Sequence, residues 1–176
     1  MPLKNANSDH GKEQRLLKSK RILVVDDEPD VLETVRDILD MCQIETAGNF
    51  ERAEELLRRE TYDMVILDVM GVKGIDLLEM ATEQGFPAVM LTAPALDPQY
   101  ILEAMKRSAI SYLPKEDLAH LDNLIAELFQ IIQKGGSCWA HTMKRLEPLL
   151  NERFDSDWKE RYSELWQSAR IPESDE

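Results

Sequence analysis

Three short aliphatic runs constrain this chain more than any other feature: Ile22–Val25 (ILVV), Met64–Leu67 (MVIL) and Pro87–Leu91 (PAVML). Each is apolar at successive positions, so it has no polar face to turn to water and must be buried on both sides. Between them the apolar residues change to helical spacing. After the first run, Pro29 suits the first turn of a helix, and Val31, Leu32, Val35, Ile38 and Leu39 recur along one face. Ile44–Ala47 reads as a weaker second strand, and Ala53, Leu56 and Leu57 mark a short helix. Gly71 and Gly74 mark a loop, followed by a helix carrying Ile75, Leu77, Leu78 and Met80. Asp97 can cap a helix with Pro98 at its first position and Ile101, Leu102 and Met105 on its buried side. Ser111–Leu113 is a short fifth strand, and Glu116–Lys134 reads as one long helix with Leu118, Leu121, Leu124, Ile125, Leu128, Phe129 and Ile132 on a broad face. Strands alternating with helices predict an α/β fold, a doubly wound parallel sheet covered on both faces.

The ends of the chain read differently. Residues 1–19 are polar without sustained periodicity, which predicts a flexible N-terminal arm, and residues 20–134 form the α/β domain. Gly135-Gly136-Ser137 reads as a linker into a helical C-terminal extension over 135–176. There Trp139, Met143 and Leu146 share a helix face up to Pro148. Trp158, Tyr162, Leu165 and Trp166 follow a cap in Asp155–Asp157. A net charge of −13 argues against a nucleic-acid surface, which needs clustered cations. The extension itself has six Lys and Arg against nine Asp and Glu. No apolar run is long enough to span a membrane. Cys42 and Cys138 have no metal-type spacing and read as reduced thiols, and His10, His120 and His141 show no ligand spacing. A soluble, cytoplasmic protein is expected.

In open parallel sheets ligands bind at the carboxyl ends of the strands. Here the first strand ends in Asp26 and Asp27, the third in Asp68 and the fourth in Thr92, while the fifth leads to Lys115. Each residue alone has a bland reading: Asp26 and Asp27 as a helix N-terminus, Asp68 as a strand-end cap, Lys115 as a solvated surface residue. Together they place three carboxylates, a hydroxyl and an ammonium on one edge. Close carboxylates raise one another's pKa unless a cation offsets them. Oxygen donors suit a hard divalent ion such as Mg²⁺. Asp68 is the best nucleophile, able to form an acyl phosphate beside a glycine-bearing loop. Lys115, Thr92 and the ion could then divide the phosphoryl oxygens, with the small Ala93 leaving room.

The set VVDDEP (Val24–Pro29), VILDVM (Val65–Met70), MLTA (Met90–Ala93) and YLPK (Tyr112–Lys115) resembles the receiver domain of bacterial two-component response regulators over about residues 20–134. The resemblance implies a flavodoxin-like five-stranded sheet of order 2-1-3-4-5. It implies Asp68 as phosphoacceptor and Mg²⁺ held by Asp26, Asp27, Asp68 and the Met70 carbonyl. It also implies Thr92 and Tyr112 as a switch pair that remodels the face of the fourth helix, fifth strand and fifth helix, although Tyr112 alone could be a core residue. A sensor histidine kinase or phosphotransfer protein would be the donor, with a homodimer or a downstream protein as the responding partner. No catalysis is expected beyond self-phosphorylation and self-dephosphorylation, and the latter should be slow, because Met70 and Pro94, at the positions that in the family tune hydrolysis, cannot orient water. The chain departs from the family pattern in a loop over Asp68–Gly74 about two residues short, a proline before Lys115 rather than after it, and Ser108 or Ala109 where a glycine is common. The rival reading is a constitutive scaffold whose binding ignores phosphorylation. A Mg²⁺-dependent phosphohydrolase ranks last, for want of an acid/base partner near Asp68.

Overall fold

The computed structural model describes residues 6–92, 97–164 and 167, with side chains from residue 11 onward. Ala93 and Pro94 of the loop after the fourth strand, and Leu165 and Trp166 of the extension, lie outside the described residues. The five strands are β1 (Arg21–Val25), β2 (Gln43–Ala47), β3 (Met64–Asp68), β4 (Ala88–Thr92) and β5 (Ser111–Pro114). They form one parallel sheet of order β2-β1-β3-β4-β5. The aliphatic runs become β1, β3 and β4, and every residue of β3 and β4 is buried. The pleat sends Leu23, Val25, Val65, Leu67, Met90 and Tyr112 to one core layer, and Ile22, Val24, Met64, Ile66, Val89, Leu91 and Leu113 to the other.

The helices are α1 (Ala6–Leu17), α2 (Pro29–Ile38), α3 (Phe50–Arg59), α4 (Gly74–Glu83), α5 (Pro98–Lys106), α6 (Leu121–Gln133), α7 (Cys138–Arg153) and a single turn α8 (Trp158–Arg161). Local chemistry sets several starts. Pro29 opens α2, the Asn49 side chain accepts from Arg52 N–H to cap α3, and the Asp97 carboxylate accepts from Gln99 N–H to cap α5 ahead of Pro98. Ser108, at φ +70°, takes the left-handed position that closes α5 before β5, so it occupies the place left open between Ser108 and Ala109.

The structure differs from the sequence reading in four places. The expected arm over 1–19 contains helix α1, anchored by its end: Leu17 is buried against the α2/α6 layer and its carbonyl accepts from Cys42 Sγ at 3.3 Å. Two adjacent leucines do this work, which no periodicity test detects. The expected helix 116–134 is split, because Lys115–His120 forms a 3₁₀ turn and α6 starts at Leu121. Gly135 at φ +71° ends α6 in a hydrogen-bonded turn, with Gly135 N–H on Ile132 and Gly136 N–H on Ile131, and the Ser137 hydroxyl then caps α7. The linker is therefore a tight corner. Helix α7 also runs through Pro148, giving up one backbone bond there.

That corner folds the extension back onto the sheet. Met143, Leu146 and Leu150 of α7 and Trp158 of α8 are at most 2% exposed and belong to the same core layer as Tyr112, Ile101 and Leu102. Burial of one such side chain is worth about 1.5–3 kcal/mol, so the extension is part of the domain's core. Leu150→Ala should cost about 2–5 kcal/mol in urea unfolding and leave a single transition; a separate early transition of the extension would contradict this placement.

Candidate functional site

The strand register levels the site. Val25 pairs with both Ala47 and Leu67, Asp68 with Leu91, and Thr92 with Pro114. Asp26, Asp68, Thr92 and Lys115 therefore all emerge at the carboxyl edge. Asp26 is fully buried, Asp68 and Thr92 nearly so, and Asp27 and Glu28 face solvent.

One ammonium organises the acids. Lys115 Nζ lies 2.8 Å from Asp26 Oδ2, 2.9 Å from Glu28 Oε1 and 3.4 Å from Asp68 Oδ1. Backbone donors take the remaining oxygens: Glu28 N–H donates to Asp26 Oδ1 at 2.9 Å and Gly71 N–H to Asp68 Oδ2 at 3.0 Å. Burial works to lower the Lys115 pKa, but its bonds to Asp26 and Glu28 and the fields of Asp26 and Asp68 outweigh that and raise it. For Asp26 burial prevails, and its carboxyl rises above the ordinary value despite Lys115 and the Glu28 amide.

Two glycines make room. A Cβ on Gly71 would stand 2.3 Å from Asp27 Oδ1 and 2.5 Å from its Cγ, so the Asp27 carboxylate lies directly over a bare Cα. A Cβ on Gly74 would come within 2.0 Å of the Asp68 carbonyl oxygen. The first obstacle is an exposed side chain and the second is backbone. Between them, Lys73 takes a left-handed φ of +53° as N-cap of α4, the adjustment by which the short loop returns to its helix.

The sequence-derived residues that the structure describes have definite places. Asp26, Asp68, Thr92 and Lys115 converge, and Asp27 borders them. Tyr112 is 2% exposed, its ring already inward, and burial pushes its phenol up to about 12 while the Thr92 side chain pulls the other way. The Met70 side chain is 65% exposed. The Leu113–Pro114 peptide is trans, so Lys115 reaches the acids without an unusual isomer. Among the described residues, Asp26, Asp27 and Glu28 form a group of three whose carboxylate oxygens all lie within 4.8 Å of one another, and Asp68 shares Lys115 with Asp26 and Glu28. An all-oxygen donor set of this charge fits a hard divalent cation. Sequence reasoning passed over Glu28 and the separate duties of Gly71 and Gly74. Glu28 was visible as the third consecutive acid, but nothing in the sequence told the glycines apart.

A sheet of this order with a buried acid at the end of β3 and a lysine shared among acids at its edge has counterparts among known proteins. The model of the response regulator receiver domain matches residues 22–127. The chain belongs to the receiver-domain family. This receiver is 36% identical over 102 residues to the two-component response regulator ARR10 of Arabidopsis thaliana, covering 54% of this chain and 18% of that protein. It is 32% identical over 123 residues to the response regulator protein PilR of Pseudomonas aeruginosa, covering 65% of this chain and 27% of that protein. The match thus spans only a minor part of these relatives. Among solved structures, a CheY-like receiver domain protein of Methanospirillum hungatei superposes with a TM-score of 0.61 at 24% identity, covering 68% of this chain and all of that one. A response regulator of Thermotoga maritima does so at 0.58 and 24% identity, covering 64% of this chain and 98% of that one. These likenesses carry the fold.

Ionised Asp26 costs this receiver stability at neutral pH, since the folded carboxyl holds its proton more tightly than the unfolded one. The cost is present above the raised pKa and disappears as pH falls through it. Asp26→Asn should therefore raise the melting temperature of metal-free protein at pH 7, an increase that fades in acid; an unchanged or lower value in calorimetry would refute this account.

Proposed function

We propose that this receiver accepts a phosphoryl group on Asp68 from a sensor histidine kinase or phosphotransfer protein in the cytoplasm and passes the change to a protein interface. The observation that carries this reading is the Lys115 ammonium, held within 3.4 Å of Asp68 by two other acids. It stands where charge will develop on a phosphoryl oxygen, so it needs no reorganisation during transfer. The relatives' own names, as two-component response regulators, point the same way.

In the transfer an oxygen of Asp68 bonds to phosphorus as the P–N bond of a phosphohistidine breaks, and the imidazole leaves and takes a proton from solvent. The Gly71 amide orients the carboxylate, Lys115 meets one phosphoryl oxygen and the Thr92 hydroxyl is placed for another. Asp26, Asp27, Asp68 and the Met70 carbonyl would hold Mg²⁺, which when bound neutralises charge on the transferring group. In this reading no outside substrate is turned over and the chain acts as a switch. Met70 offers water no proton acceptor, and the acyl phosphate should be long-lived.

Intact-protein mass after incubation with acetyl phosphate and Mg²⁺ should show one added phosphoryl group, absent from Asp68→Asn and without Mg²⁺. A folded protein that never takes up the group, from acetyl phosphate or from a kinase, would favour the constitutive scaffold. Gly71→Ala should melt within about 2 °C of wild type, as expected for a change under 1 kcal/mol. It should nonetheless bind Mg²⁺ about tenfold more weakly by calorimetry, the loss of about 1.4 kcal/mol, because the methyl group displaces Asp27. Equal affinity would remove Asp27 from the ion's site.

A further inference from the structure

Helix α7 lies along β5, the strand that delivers Tyr112 and Lys115 to the site. Polar contacts fix its register. Thr142 Oγ1 meets Ser111 Oγ at 2.6 Å inside the core and bonds the Cys138 carbonyl at 2.9 Å. The Trp139 indole N–H donates to the Ala109 carbonyl. At the other end, Arg153 Nη2 lies 3.2 and 3.1 Å from the two carboxylate oxygens of Glu116. Glu116 is the residue directly after Lys115. Consecutive residues of one six-residue 3₁₀ turn thus hold two different things: Lys115 the acids of the site, and Glu116 the far end of α7. A cleft of about 390 Å³ remains between this turn, β5 and α7, lined in part by Tyr112, Pro114, Asp117, Leu146 and Leu149. The turn therefore borders open space on the side that faces α7.

We propose that the face formed by α5, β5 and the 3₁₀ turn is a helix-docking surface, that α7 is its tethered occupant, and that phosphorylation of Asp68 loosens α7 through Lys115 and Glu116. This rests on the reading of Asp68 as phosphoacceptor. Phosphorylation takes the charge on Asp68 from about −1 to between about −1.5 and −2, beside an ammonium already 3.4 Å from that carboxylate. Lys115 must then leave part of its hold on Asp26 and Glu28, and the backbone of the turn follows. A 3₁₀ turn resists such a shift weakly, because its hydrogen-bond geometry is poor. Glu116 moves with it and the tie to Arg153 slackens. The buried side chains of α7 keep it from detaching as a whole, so the effect is on its local opening equilibrium.

Hydrogen exchange of the full chain reads that equilibrium directly. Protein is treated with Mg²⁺ and acetyl phosphate, an oxygen of Asp68 bonding to phosphorus as acetate leaves, and mass gives the phosphorylated fraction of each sample. Amides of residues 142–153 should then exchange faster by up to about fivefold, the most that loosening one exposed ion pair can release, while those of β3 are unchanged. Glu116→Gln should speed the same amides without a phosphodonor and shrink the further gain on phosphorylation. A phosphorylated protein with unchanged exchange in α7 overturns the proposal and leaves the phosphoacceptor reading standing. An undiminished gain in Glu116→Gln overturns the relay through Glu116. A protein that never gains the phosphoryl group loses both readings.

Discussion

Four carboxylates gathered at the end of one sheet repel one another, and a single ammonium makes their meeting tolerable. Lys115 can do this because β5 brings it level with β1 and β3, and because its partners hold it so firmly that burial does not remove its proton. The sheet order, the register of five strands and the entry into the 3₁₀ turn all serve that one placement. The balance is also what leaves the site ready for change, since an ammonium shared among three acids answers to any new charge on one of them.

Much of this was legible in the sequence, for physical reasons that differ by element. A strand buried on both faces has to be apolar at successive positions, so β1, β3 and β4 announce themselves, and the polar residue ending each run marks the edge where chemistry gathers. Asp97 and Pro98 are a local cap, and local chemistry is what sequence shows best. Distances across the fold are another matter. That Glu28 shares Lys115, or that Asp27 lies over Gly71, depends on the fold bringing separate loops together.

The extension shows the same limit from the other side. Its aromatic and aliphatic spacing announced a buried helix face, but a helix face does not say what it meets. The double glycine suggested freedom where the structure has a corner, because Gly135 serves for its left-handed φ as the cap of α6. Likewise Pro148 suggested a stop, yet the burial of Leu146 and Leu150 on either side of it outweighs one missing backbone bond.

Pro114, met first as a departure from the family's usual order, has a bearing on solubility. It sits in an edge strand and leaves β5 one amide donor short. At the opposite edge, β2 presents Glu45 in an ion pair with Arg21, 3.4 Å away. Strand edges are where separate molecules zip together into fibrils, and here one edge lacks a donor beside a docked helix while the other carries charge. A sheet that ends in such different ways on its two sides is poorly suited to growing by addition of another chain's strand, a useful property for a protein whose most reactive groups all lie at the rim of that sheet.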